Sequence, residues 1–500
     1  MNGDKPYPVG MGPHLRPSGS PKRIEPRSGP ARYSRAPHGK TSTEHPPVIP
    51  AAAFDTTPWR WIPTLYFGQG IPYVVVMTLS VVMYKNLGLS NTDIALYTSW
   101  LYLPWVIKPL WSPLVDLLGR KRGWIVGLQL LLGAALAGVA LTLPLAQFWQ
   151  ATLAVFWLMA FASATHDIAA DGFYMLALPQ RSQAAFVGVR SSFYRLAMIA
   201  GQGGLVMLAG WLQQQHGAVA ATGGASPSPG AGAAAGAVVA AWRSVFWLLA
   251  GGFVIAAAWH AWALPRPAAD QPAPRRAHLV RDALAVFAAF FRQPGIARIL
   301  AFLLLYRFAE AQALKLVTPF LLDPRSVGGL GLSTQAVGLA YGTVGVAALT
   351  LGGLLGGWVI ALGGLKRLLW PLMLCMHLPN GLFVALALWQ PDSLVWVSLA
   401  LAAEQFGYGF GFTAYLVFML MVAERGPGGG QEGGSNPHQT AHYALCTGFM
   451  ALGMMLPGMA AGWLQSQLGY TAFFVWVCIA TLPSFVAAAF LRIDPAFGRR

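Results

Sequence analysis

From about Trp61 to Leu491 this chain is a succession of apolar segments, each roughly 20 residues long and divided from the next by a short polar stretch. A segment of that length crosses a hydrocarbon core of about 30 Å as a helix. Inside such a core every backbone N–H and C=O needs a partner within the protein, so only helical bundles and closed barrels are available. The segments lack the alternating pattern of a membrane barrel. The chain therefore reads as an all-α integral membrane protein. Its charged fraction agrees: 10% of 500 residues, with a mean hydropathy of +0.53, against about 25% charged in soluble proteins.

Twelve spans are predicted. The first six are Trp61–Tyr84, Ile94–Leu118, Trp124–Leu143, Trp149–Leu178, Val187–Leu212 and Trp242–Leu264. The second six are Ile296–Leu322, Ala336–Leu362, Leu368–Trp389, Leu394–Val422, His442–Leu464 and Thr471–Leu491. Basic residues mark alternate loops: Arg120, Lys121 and Arg122 after span two, Arg181 after span four, five arginines between Pro265 and Gly295, and Lys366 with Arg367 after span eight. The intervening loops 144–147 and 465–469 carry no charge. Positive residues gather on the cytoplasmic side, so both termini are expected there. The net charge of +16 follows from this placement and from a basic amino-terminal segment, so it does not indicate a nucleic-acid partner.

Residues 1–58 are rich in Pro, Ser, Gly and Arg, without an apolar run, and are expected to form a disordered cytoplasmic tail. The stretch 217–241 is Ala, Gly, Ser and Pro repeats and is expected to be a low-complexity external loop. The segment 278–291 reads as an amphipathic helix within a central cytoplasmic linker, 265–295.

The chain also repeats itself. Leu87-Gly-Leu-Ser90 precedes span two and Leu330-Gly-Leu-Ser333 precedes span eight; Gly119-Arg-Lys-Arg122 follows span two and Gly364-Leu-Lys-Arg367 follows span eight. The offsets, 243 and 245 residues, indicate two parallel six-helix halves, 59–264 and 296–493. This resembles the major facilitator plan, in which a solute binds at mid-membrane between two halves.

Polar residues inside apolar spans point to chemistry, because an ionisable group at membrane depth costs several kcal/mol and faces a cavity or a partner. Asp167 and Asp171 in span four are one helical turn apart, on one face. Two close carboxylates in an apolar setting suit the binding and release of a proton; a structural pairing with Arg190 or Arg195 is the alternative. His166 points about 100° away from the pair on the helix and is expected to be packed. Tyr194-Arg195 in span five suits an anionic group of a solute, or neutralises Asp171. Span seven holds Arg307 and Glu310 at pairing distance on one helix, then Lys315, which has no nearby partner in the sequence. Span ten holds Glu404-Gln405 before a glycine-rich run. Asp116, Gly119, Arg120, Lys121 and Arg122 resemble the major facilitator loop motif, in which an aspartate beside arginines latches the cytoplasmic side. Trp111 lies in the same stretch.

Taken together, Lys108-Pro-Leu-Trp-Ser-Pro-Leu-Val-Asp116, the Gly-Arg-Lys-Arg-Gly-Trp124 that follows Leu118, Ala164-Thr-His-Asp-Ile-Ala-Ala-Asp-Gly-Phe173, Tyr194-Arg-Leu196, Leu305-Tyr-Arg-Phe-Ala-Glu310 and Glu404-Gln405 resemble the AmpG-type muropeptide permeases. The wider family includes acetyl-coenzyme A transporters. Departures are His166 for the usual glutamine, Met454 where an arginine is expected, and Lys315 as an extra cation. The resemblance implies proton-coupled import of anhydromuropeptides or related amino-sugar saccharides. On that reading Asp167, Asp171, Glu310 and Glu404 serve the proton. Arg195, Tyr194, Arg307, Lys315, Gln405 and Trp111 meet the solute. A sugar, an acyl-nucleotide or a siderophore is the alternative cargo; a membrane sensor or acyltransferase is the alternative class. A nucleophile constellation is not seen, so no enzyme activity, cofactor or metal is expected, and Cys375, Cys446 and Cys478 follow no metal or disulfide pattern. A monomer in the bilayer is expected.

Overall fold

The computed structural model describes residues 57–222, 231–272, 279–425, 438–495 and 497–498. The tail expected over 1–58 falls almost wholly outside these residues. Among the described residues the chain is helical, without a strand. Nine helical stretches are long and apolar enough to cross a membrane, or ten when the bent pair Leu284–Phe291 and Ile296–Leu322 is taken as one span. The number differs from twelve for two reasons. The stretch Gln439–Ala489 contains two of the expected spans, divided at Gly469, whose φ of 72° breaks the helix. The second expected span is split at Leu101 and Tyr102 into Asn91–Trp100 and Leu103–Leu118. Pro104, in the first turn of the second piece, cannot donate the backbone bond that would carry the helix through.

The internal repeat has a structural counterpart. Gly88 and Gly331 both take positive φ, 84° and 65°. Ser90 and Ser333 then cap the helices that follow, with φ/ψ of −67°/150° and −67°/154°. Each serine hydroxyl accepts from the backbone N–H three residues on, at 3.1 and 3.2 Å. The same four residues build the same turn in each half.

The loop expected over 217–241 is corrected. Helix Val206–Thr222 runs into it from one side and Ala231–Ala263 from the other, leaving only 223–230 outside the described residues. Alanine is the best helix former, and a helix already nucleated in the membrane propagates through it. In the central linker, helix Leu279–Phe291 is set off from span seven by a bend of 93°, as a helix lying along the membrane surface would be.

The apolar cores lie mainly within each half, with Ala95 and Leu322 crossing between them. Spans one to six bury Val75, Leu132, Phe156 and Phe246 in one cluster and Trp61, Ile168 and Phe173 in another. Spans seven to twelve bury Phe320, Phe383 and Phe474, and Phe302, Met373 and Phe418. Large apolar side chains such as Ile255, Trp262, Trp358 and Trp389 remain exposed on the outside, where lipid takes the place of water.

Candidate functional site

The backbone is irregular around one central region of the bundle. Spans one, five and eight widen into π-type turns at Val75–Leu79, Ala200–Leu205 and Gly338–Gly345. Span two breaks at Leu101 and Tyr102, and span seven breaks at Tyr306 and Arg307. Such turns free backbone groups and are frequent at functional sites. Met77, Tyr102, Gln202, Arg307 and Tyr341, all from these interruptions, line one cavity of about 140 Å³ between the halves. Lys315, Gln405, Tyr408 and Met454 line it too. Thus two of the three departures noted in the sequence, Lys315 and Met454, face the same space.

Arg307 is buried and grips Glu310 through two bonds, Nε to Oε2 at 2.8 Å and an Nη to Oε1 at 2.5 Å. It also donates to the Tyr408 hydroxyl at 2.7 Å and stacks over Phe412. The pair therefore links span seven to span ten. Lys315, 5% exposed, donates to the Thr98 hydroxyl of the other half at 2.9 Å. Glu404 is buried beside Gln405, whose amide donates to it at 2.8 Å; among the described residues no cation lies within 4.0 Å of it.

The two carboxylates of span four share a helix face but not a partner. Asp167 accepts from the Trp105 indole at 3.1 Å and lies 3.7 Å from the Lys108 ammonium. Asp171 pairs with Arg190 at 3.0 Å, and that guanidinium sits over the rings of Tyr66 and Tyr174. Of the two arginines considered on span five, Arg190 and not Arg195 neutralises Asp171. Arg195 instead points toward Gly353 of span eight. Tyr194 packs beside Gly70 of span one, and neither Tyr194 nor Arg195 lines the cavity. Trp111 packs against Phe161 and is also absent from the cavity wall. His166 turns into the N-terminal half. There Gln129 joins it at 3.2 Å to His260, which is 2.9 Å from Gln129 and 3.0 Å from Thr64.

At one end of the bundle the halves are tied together. Lys85 and Asp323 form an ion pair at 2.6 Å. Asp323 also accepts from Tyr470 at 2.5 Å and from Asn91 at 3.1 Å, and Asn91 donates to Gln465 at 3.0 Å. The Thr334 hydroxyl reaches Asn86 and Gln213, each at 3.2 Å. Backbone contact closes the same seam: a methyl group at Gly342 would collide with the Gln202 carbonyl, and one at Gly462 with the Asn91 carbonyl.

At the other end, the basic turn is organised by a residue that sequence reasoning missed. The buried Asp270 carboxylate accepts the backbone N–H groups of Lys121 and Arg122, at 2.7 and 3.1 Å, and so caps helix Lys121–Thr142. Arg122 bonds the carbonyls of Leu264 and Ala261, and Arg120 reaches Gln271. Gly119 lies against the Trp124 indole. The Asp116 side chain lies outside the described residues, so its expected part in a latch is not on view. The available signal was that Asp270 is the sole acidic residue in 265–280 beside several arginines. Among the described residues no three His, Cys, Asp or Glu side chains converge as a metal site requires.

Comparison with known proteins follows the same lines. The Major Facilitator Superfamily profile matches residues 64–429. The Anhydromuropeptide permease of Escherichia coli (strain K12) is 26% identical over 388 residues, 76% of this chain and 69% of that protein. A putative AmpG transporter of Rickettsia conorii is 22% identical, covering 85% of this chain and 94% of its own. Among solved structures, the nucleoside transporter NupG superposes with a TM-score of 0.57 at 16% identity, over 88% of this chain and 100% of its own. A D-xylose-proton symporter gives 0.54 at 14%, over 87% and 97%. These two likenesses concern the fold alone.

Proposed function

The chain belongs to the Major Facilitator Superfamily, a multi-pass membrane transporter family, and we propose that within it this protein is a proton-coupled importer of anhydromuropeptides or related amino-sugar saccharides. The observation that carries this reading is the wall of the cavity between the halves. Tyrosine hydroxyls (Tyr73, Tyr102, Tyr408), amides (Gln202, Gln405) and cations (Arg307, Lys315) face one space. Aromatic faces suit sugar rings, amides suit hydroxyl and acetamido groups, and cations suit a carboxylate. The similarity to a protein named an anhydromuropeptide permease supports the solute class.

A cavity of about 140 Å³ is smaller than the roughly 300 Å³ at which pockets for sizeable ligands begin. Loading a disaccharide therefore requires the halves to part. The end tied by Lys85 and Asp323 is opposite the basic loops, and we assign it to the periplasmic side, with both termini cytoplasmic in a bacterial inner membrane. Parting there admits solute. Glu404 is the preferred proton carrier, because an ionised carboxylate with one amide donor and no countercharge is expensive in a dry interior. Asp167, held by Lys108 at the long distance of 3.7 Å, is the second. Asp171 and Glu310, each in a close ion pair, orient cations that serve the path.

The test is exchange in proteoliposomes. Purified protein preloaded with unlabelled N-acetylglucosaminyl-anhydro-N-acetylmuramic acid should take up the labelled compound by counterflow. Counterflow of xylose or a nucleoside in its place, with none of the disaccharide, would assign a different solute.

A further inference from the structure

Lys315 has no carboxylate partner among the described residues. It projects from Phe308–Leu322 into the cavity between the halves and is 5% exposed. Its ammonium donates to Thr98 Oγ1 at 2.9 Å and stands 5.3 Å from the centre of the Tyr102 ring. Among the described residues no carboxylate comes within 4.0 Å of it. Thr98 donates its own proton to the Ile94 carbonyl at 2.6 Å, so it meets Lys315 only as an acceptor. An ammonium has three donors, and Thr98 takes one. One residue on, the Ser99 hydroxyl is fully buried and has no hydrogen-bond partner among the described residues. The Ser99 hydroxyl and the stem of Lys315 both border Gly458: a Cβ there would lie 2.9 Å from Ser99 Oγ and 3.3 Å from Lys315 Cγ.

The other cation on this wall is not in the same position. Arg307 directs its donors to Glu310 and Tyr408. An ammonium held in a dry interior without an anion is costly. In a cavity that fills and empties, that cost is relieved when an anion arrives. The Ser99 hydroxyl, one residue along from Thr98 and against the same glycine as the Lys315 stem, offers a second donor to the same anion.

We propose that Lys315, Thr98 and Ser99 form a subsite for a carboxylate of the transported solute. The anion takes the ammonium donors that no described residue occupies and accepts from the Ser99 hydroxyl. Because Thr98 and Ser99 lie in the N-terminal half and Lys315 in the C-terminal half, the bound carboxylate joins the two halves. The inference rests on the muramic-acid reading of the solute, whose lactyl ether supplies the carboxylate.

The experiment compares two ligands on the full-length protein. N-acetylglucosaminyl-anhydro-N-acetylmuramic acid and its lactyl methylamide are competed against the labelled acid in counterflow. Wild-type protein should prefer the acid by about tenfold, the factor that one charge-assisted hydrogen bond supports. In Lys315→Met the ratio should fall to about one, and Lys315→Arg should restore part of it. Ser99→Ala should lower the ratio without abolishing it. An unchanged preference for the acid in Lys315→Met overturns the subsite. If Lys315→Met fails to insert, Ser99→Ala decides, and an unchanged ratio there overturns it. If wild type exchanges neither ligand, the solute reading fails separately. The subsite is then decided by thermal unfolding with lactate against lactamide at tens of millimolar. Lactate should stabilise wild type more than lactamide does, and should lose that advantage in Ser99→Ala; equal effects on wild type overturn the subsite.

Discussion

The Lys85 ammonium lies 2.6 Å from the Asp323 carboxylate, and the two residues belong to different halves of the bundle. Asp323 collects three donors at that seam, from Lys85, Asn91 and Tyr470. Two of these donors, Lys85 and Asn91, come from the other half, whereas Tyr470 belongs to the same half as Asp323.

Removing the charge of Asp323 should therefore loosen this end. Losing a charge-assisted hydrogen bond of this kind costs roughly 1.5–3 kcal/mol, enough to shift a two-state equilibrium by tenfold or more. With a single cysteine at the cavity-lining Thr78 in a protein otherwise free of cysteine, Asp323→Asn should raise the rate of labelling by an impermeant maleimide added outside about tenfold. An unchanged rate would show that the glycine contacts hold the seam without the ion pair.

The Arg307–Glu310 pair makes a different prediction. Both side chains are buried, so Glu310→Gln leaves an uncompensated guanidinium. That should cost about 3–5 kcal/mol of stability, read as a lowered thermal midpoint in detergent. Replacing both residues by methionine should restore much of the midpoint while solute exchange stays lost. Recovery of exchange in the double variant would remove Arg307 from the solute path.

His166 tests whether the network in the N-terminal half is structural. The chain Thr64–His260–Gln129–His166 joins spans one, six, three and four. His166→Gln keeps an acceptor for the Gln129 amide and should leave uptake near normal. His166→Leu strands that amide and should lower stability by about 1–3 kcal/mol. A loss of uptake in the Gln variant, with stability unchanged, would give His166 a part in transport itself.

The coupling residues separate exchange from accumulation. Glu404→Gln and Asp167→Asn should each retain counterflow, in which no net proton movement is needed, and lose uphill accumulation. Their membrane levels should match wild type. Accumulation by both variants would mean that neither carboxylate carries the coupling proton.

Much of this arrangement was legible in the sequence, and the parts that were share a property. The spans follow from apolar length. The repeated Leu-Gly-Leu-Ser turn follows from local chemistry, a positive-φ glycine and a capping serine. The Arg307–Glu310 pair follows from helical spacing. What the sequence could not show depends on partners far apart in the chain. Lys85 finds Asp323, Lys315 finds Thr98, and Asp270 caps the helix at Lys121. The π-type turns were hidden as well, because their sequences, such as Val-Val-Met-Thr-Leu at 75–79, have no proline within them and read as ordinary helix. Residue type alone does not tell which face of a helix meets the gap: Trp111, Tyr194 and Arg195 are not among the residues that line the cavity.

The central claim, proton-driven import of a muramic-acid saccharide, is tested most directly by uptake of labelled N-acetylglucosaminyl-anhydro-N-acetylmuramic acid into energised right-side-out vesicles, with and without a protonophore. The account predicts accumulation above the external concentration that collapses when the protonophore is added. Accumulation that persists with the protonophore, or no uptake by fully inserted protein, would contradict it.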